Sequence, residues 1–193
     1  MQNTSFIHAG PIPWHRRCFL AAVMLLATTL LLVPTAAQAQ TKEYKVKAAF
    51  LLNFAQFVRW PASAFPDASS PLTIGVLGDD SFGGELKAVT SGETVGGRKF
   101  AIRHGRKVED LRGCQFIFIS KSEAARQGEI LAALQGTGTL TVGESDQFCG
   151  QGGIINLTLQ GGTVGFEINS AAAQRAGLGV SSKLLKLGKI AAR

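Results

Sequence analysis

The chain has 193 residues and a formal net charge of +7, from 20 lysines and arginines against 13 acids. That length fits one domain with a single core, with or without a leader. The positive excess is modest and dispersed, with no aromatics interleaved in a basic stripe, which excludes a nucleic-acid surface and suits an anionic membrane surface or an acidic partner. Three cysteines are too few for a disulfide scaffold, so the core must supply most of the stability.

The chain opens with His15, Arg16 and Arg17, then an apolar run over residues 18–34, then the small residues of Ala37-Gln38-Ala39. This order predicts an export signal over residues 1–39, cleaved after Ala39, and a single mature domain over 40–193 that is not inserted in the membrane once processed. Loss of Arg16 and Arg17 leaves 18 basic against 13 acidic residues, about +5. Cys114, Cys149 and a single histidine, His104, remain.

From Tyr44 to Trp60 the pattern is helical. Val46, Phe50, Phe54 and Phe57 mark one face; Ala48, Leu51, Ala55 and Val58 mark its neighbour; Lys45, Asn53, Gln56 and Arg59 leave a narrow polar strip. An ordinary surface helix buries a stripe of roughly 100°. This wider one predicts either deep packing on its own sheet or partial burial against a second chain. Pro61 is expected to stop the helix, and Trp60 beside Arg59 is the pairing that dominates interface hot spots.

Next, "LTIGVLGD" reads as a buried strand and "SFGGELKAVTSG" as a short helix with Ser81 as cap. "GRKFAIRHG" is a strand, "KVEDLRG" a helical turn, and "CQFIFIS" the most hydrophobic and most central strand. "SEAARQGEILAALQGTG" predicts an amphipathic helix capped by Ser122 and stopped at Gly136. The strand "TLTVGE", the loop "SDQFCGQGG" and a hairpin turning at Gly161-Gly162 follow. One or two helices close the chain, with Leu184, Leu185, Leu187 and Ile190 opposed to Lys183, Lys186, Lys189 and Arg193. The alternation predicts an α/β fold: a single-domain three-layer sandwich whose mostly parallel sheet carries an antiparallel edge hairpin.

Candidate chemistry is sparse. No nucleophile elbow, no metal-ligand spacing and no paired acids near the lone His104 are present, so neither a catalytic residue, a metal nor a cofactor is predicted. The strand-to-helix turn "GVLGDDSFGG" occupies the position where open sheets bind ligands, which makes Gly78, Asp79 and Ser120 candidates for a small cationic or zwitterionic molecule. Cys114 starts its strand while Cys149 follows the end of the next, so parallel strands put the thiols toward opposite sheet edges. A disulfide needs Cα atoms within about 7 Å, which requires the "SDQFCGQGG" segment to run back along the sheet.

Four stretches together resemble the YfiR family: "YKVKAAFLLNFAQFVRWP", "IGVLGDD", "GGIINLTLQGGTVGFEIN" and "AGLGVSSKLLKLGKI". The resemblance spans essentially the whole mature chain. It implies a periplasmic repressor, not an enzyme, that binds the periplasmic sensor domain of an inner-membrane diguanylate cyclase and so lowers cyclic-di-GMP and biofilm formation. It also implies an OmpA-like outer-membrane lipoprotein that sequesters the repressor. The best-studied branch of the family carries two internal disulfides, of which this mature chain has cysteines for one at most. A homodimer is expected, with Phe50, Phe54, Phe57, Arg59, Trp60, Leu184 and Leu187 at the interface or lining a pocket. A periplasmic small-molecule binder is the alternative.

Overall fold

The computed structural model describes residues 36–191; most of the predicted export signal lies outside them. Helix α1 spans Ala36–Phe57, about 33 Å at 1.5 Å per residue. Its buried stripe is Tyr44, Lys47, Ala48, Leu51, Phe54 and Ala55, a single i, i+3/i+4 face. Of the two faces expected from the sequence, that of Ala48, Leu51, Ala55 and Val58 is buried throughout, and that of Val46, Phe50, Phe54 and Phe57 is fully buried only at Phe54. Val46 is 45 % exposed, while Phe50 and Phe57 are half-buried on the flanks.

Nor does α1 run to Pro61. It ends at Phe57, and the next two residues form strand β1 (Val58–Arg59). That strand pairs antiparallel with β9 (Gly179–Val180), and the Ser181 amide donates to the Phe57 carbonyl at 3.0 Å. A partner more than 100 residues downstream therefore takes up the helix's terminal backbone groups.

The remaining strands form one eight-stranded sheet: β2 (Leu72–Leu77), β3 (Thr94–Val95), β4 (Arg98–Gly105), β5 (Phe116–Ile119), β6 (Leu140–Gly143), β7 (Ile155–Gln160), β8 (Thr163–Ile168) and β10 (Lys189–Ile190). Their spatial order is β10-β8-β7-β6-β5-β2-β4-β3. Five of the seven pairings are parallel; β7–β8 and β3–β4 are antiparallel. The Gly161-Gly162 hairpin forms as expected but is not the edge, because β10 adds parallel to the outside of β8. The antiparallel edge hairpin is β3–β4, turning at Gly96 and Gly97, both at positive φ.

Both sheet faces are buried. In β5, Phe116 and Phe118 join the larger core with α1, while Ile117 and Ile119 join a second core on the other side. Helices α2 (Glu85–Thr90), α4 (Ser170–Arg175) and α5 (Ser182–Leu187) contribute Leu86, Ala172, Ala173 and Leu184 to the first. Helix α3 (Gln127–Ala133) contributes Ile130 and Leu131 to the second. Each such large side chain is worth about 1.5–3 kcal/mol when fully buried.

Neither expected serine cap forms. Helix α2 begins beyond Ser81, with Gly84 before its first turn. Ser122 lies inside a 3-10 segment, Lys121–Arg126, that precedes α3. The closing helix is also shorter than its pattern suggests: α5 stops at Leu187, and Ile190 belongs to β10. No helix among the described residues is long and apolar enough to cross a membrane.

Candidate functional site

Within the sheet, the run β4-β2-β5-β6-β7 is a doubly wound order: β4 lies on one side of β2, and the chain then crosses to β5 on the other. Ligands of such sheets sit at the carboxyl ends flanking that reversal, which is where Gly78, Asp79 and Ser120 emerge. The structure brings the three together and fills the crevice from within. Gly78 has φ +92°, and a Cβ there would lie 2.5 Å from Ser122 Oγ and 2.7 Å from Glu123 Cγ. The Asp79 amide donates to Ser122 Oγ at 3.0 Å, and the Ser120 amide donates to the Leu77 carbonyl at 3.0 Å. Glu123 pairs with Arg126 at 2.5 Å, and Arg126 donates to the Arg106 carbonyl at 2.6 Å. Ser120 is buried; Asp79 is exposed, with Arg106 3.5 Å away.

The open volume lies beside this crevice. A cleft of about 620 Å³ runs between α2 and β4, lined by Leu86, Thr90, Phe100 and Ile102, with Asp80 and His104 at one end and Glu93 and Lys99 at the other. His104 Nδ1 is 3.9 Å from Asp80 Oδ2. The alternation of β4 is the one sign of this cleft in the sequence, because which helix forms the second wall is set by the packing.

One strand further along, Glu144 follows β6 and turns inward, its side chain 3 % exposed. It accepts hydrogen bonds from Tyr44 Oη at 3.0 Å, from Lys47 Nζ at 2.5 Å and from the Lys121 amide at 3.1 Å. Lys47 also pairs with Glu43, one turn earlier. Burial alone would lower the pKa of the Lys47 ammonium, but its bonds to Glu144 and Glu43 outweigh that and raise it. Burial, with the Glu144 charge adding to it, raises that of Tyr44. This cluster clamps α1 to the carboxyl end of the sheet. Nothing local in the sequence marks Glu144; the available signal is a Tyr-x-x-Lys pair on the apolar face of α1.

At the other end of α1, the predicted interface residues divide. Phe54 and Leu184 are core, 0 % and 2 % exposed, and offer no surface. Phe50 and Phe54 pack against Phe166, with ring centroids 5.5 and 5.0 Å away. Trp60 is half-buried, and its Nε1 donates to the Gln115 carbonyl at 2.9 Å. Gln115 in turn holds the Thr73 amide and the Ala64 carbonyl. Phe57 lies under Lys183, whose Nζ is 5.2 Å from the ring centre. Arg59 is exposed, Leu187 is 66 % exposed and Ile190 58 %. The exposed residues among these are Arg59, Lys183, Leu187 and Ile190, with Phe57 and Trp60 half-buried.

Cys114 and Cys149 are both buried free thiols, as their places on the parallel strands led one to expect, and the internal bridge weighed as a possibility is not formed. Cys114 precedes β5 at the amino end of the parallel strands. Cys149 sits near the carboxyl end, its Sγ 3.8 Å from the carbonyls of Ile154 and Glu167. Burial, reinforced by Glu167, pushes the Cys149 thiol up to about 12.

The sequence profile of the YfiR/HmsC-like family matches residues 44–189. No curated protein matches the chain. Among solved structures, a conserved domain protein from Vibrio cholerae O1 biovar El Tor is similar at TM-score 0.51 and 14 % identity, over 75 % of this chain and 58 % of that one. The ABC domain in complex with L-Trp from Streptococcus pneumoniae gives TM-score 0.45 and 12 % identity, over 67 % and 57 %. The chain therefore spans less than two thirds of either. The first supports the fold alone; the second, below 0.5, carries no inference.

Proposed function

This chain belongs to the YfiR/HmsC-like family, and from that premise we propose that it is a non-enzymatic periplasmic regulator. It binds the periplasmic sensor domain of an inner-membrane diguanylate cyclase, holds the cytoplasmic catalytic domain inactive, and so lowers cyclic-di-GMP and biofilm formation. The observation that carries this reading is the family match over residues 44–189, nearly the whole compact unit that begins at Gln40. The physical mechanism is a population shift: the regulator binds one conformation of the sensor better, and the shift equals that differential affinity. Reversing a 1:99 equilibrium requires about 10⁴-fold preference.

In this reading the sensor meets the surface at the β1–β9 end, with Leu187 as apolar anchor, Arg59 as polar anchor, and the edges of Phe57 and Trp60 completing the patch. An OmpA-like outer-membrane lipoprotein that sequesters the regulator releases the cyclase. A second copy of the chain rests on the flank of α1 that bears Val46 and Phe50. The small-molecule alternative at Gly78, Asp79 and Ser120 loses support from the filled crevice around Gly78.

The test is photo-crosslinking in cells from a reactive residue placed at Arg59, at Leu187 or, as a distant control, at Leu159 in the β7–β8 hairpin. Crosslinks from Arg59 and Leu187 to a membrane diguanylate cyclase, absent from Leu159, are expected. No cyclase among the products from any position overturns the assignment.

A further inference from the structure

The outer edge of β4 is open for most of its length. The Gly105 carbonyl accepts from the Gly78 amide, so the odd-numbered main-chain groups of β4 face β2 and the even-numbered ones face outward. Arg98 fits this rule, paired across the Gly96-Gly97 turn with Val95. Strand β3 covers only Arg98 and Lys99. Among the described residues, no strand pairs with the outward amides and carbonyls of Phe100, Ile102 and His104.

Side-chain alternation sorts the two faces of this edge. Phe100, Ile102 and His104 share the face whose floor opens into the 620 Å³ cleft against Leu86 and Thr90. Lys99, Ala101 and Arg103 alternate toward the opposite face, Lys99 also bordering the end of the cleft. Both Lys99 and Arg103 are exposed. An unpaired row of main-chain groups beside a cleft spaced for alternate side chains is the arrangement that accepts an added strand.

We propose that β4 is a docking edge for an extended segment of another protein, one that alternates apolar and acidic residues. Its apolar side chains drop into the α2–β4 cleft beside Phe100 and Ile102. Its acidic ones lie across from Lys99 and Arg103, the cross-strand pairing of opposite charges that stabilises a sheet. A second copy of this chain is the wrong occupant. Edge-to-edge pairing in any register collects both copies' Lys99 and Arg103 along one seam, and β4 has no carboxylate to offset them. This inference does not rest on the cyclase reading and stands or falls separately.

The experiment uses two labelled synthetic peptides of about eight residues, one alternating Glu with Val and one alternating Lys with Val, titrated with the protein by fluorescence anisotropy. The Glu/Val peptide is expected to bind saturably and at least about ten-fold more tightly than the Lys/Val peptide. Reversing both cations (K99E with R103E) on this exposed face is expected to invert that preference. Ile102→Pro, which removes an outward-facing amide and leaves the ladder to β2, is expected to abolish binding of both peptides. Absence of saturable Glu/Val binding, or an unchanged preference in the charge-reversed protein, overturns the proposal. A protein dimer that Ile102→Pro dissociates would assign the edge to a second copy and overturn it as well.

Discussion

Replacing Lys47 with methionine tests how α1 is held to the sheet. Lys47 is 5 % exposed, and the Glu144 side chain it meets at 2.5 Å is 3 % exposed. Methionine preserves most of the packing of the lysine stem, so the perturbation is chiefly electrostatic. Glu144 would keep only the Tyr44 hydroxyl and the Lys121 amide as donors. A buried charge stripped of its partner costs about 3–5 kcal/mol, a large share of the roughly 5–15 kcal/mol available to a domain. Urea unfolding measures this directly through the midpoint and slope.

Adding Glu144→Gln keeps an acceptor for Tyr44 and Lys121 and removes the stranded charge, and should restore stability to within about 1 kcal/mol of the parent. A loss below about 1 kcal/mol in Lys47→Met would refute the clamp.

Three further outcomes follow from local geometry. Gly78→Ala must place a Cβ 2.5 Å from Ser122 Oγ at φ +92°, and is expected to lower stability by about 2 kcal/mol; a thermal melt unchanged from the parent would contradict the close approach. The Cys149 thiol, pushed up to about 12 by burial, should resist a thiol reagent in the native state at about pH 8 and react only on unfolding. Rapid native labelling would refute its burial. Asp67 is held at about 2 by hydrogen bonds from Ser69 and Ser70. Its folded pKa lies below the unfolded 3.8, so its contribution is present above that value and disappears as pH falls toward 2. An NMR titration of its carboxyl carbon should give that low midpoint, and a midpoint near 3.8 would show that the turn does not hold it.

How much of this was legible beforehand depends on how local each cause is. Apolar runs such as "TIGVL" and "FIFI" and the glycine pair at 161–162 carry their own structure, and those elements were readable. The end of α1 was not. Pro61 is a strong local stop, yet Phe57 ends the helix because Gly179 and Val180 pair with the next two residues. Similarly, "SSKLLKLGKI" reads as one helix, and only the free edge of β8 converts its last residues to a strand. Candidate surface residues such as Phe54 and Leu184 proved to be core, because hydrophobic pattern reports a buried face without saying what buries it. The Lys47–Glu144 clamp and the α2–β4 cleft join residues 97 and roughly 16 positions apart, respectively, and no spacing rule connects them.

The central claim, a periplasmic restraint on a diguanylate cyclase, is tested most directly by intracellular cyclic-di-GMP in a strain lacking this chain. Complementation would use the full sequence or the same sequence without residues 1–39. The account predicts that cyclic-di-GMP rises in the deletion and returns to the parental level only with the full sequence. An unchanged level in the deletion, or equal rescue by the form without residues 1–39, would contradict it.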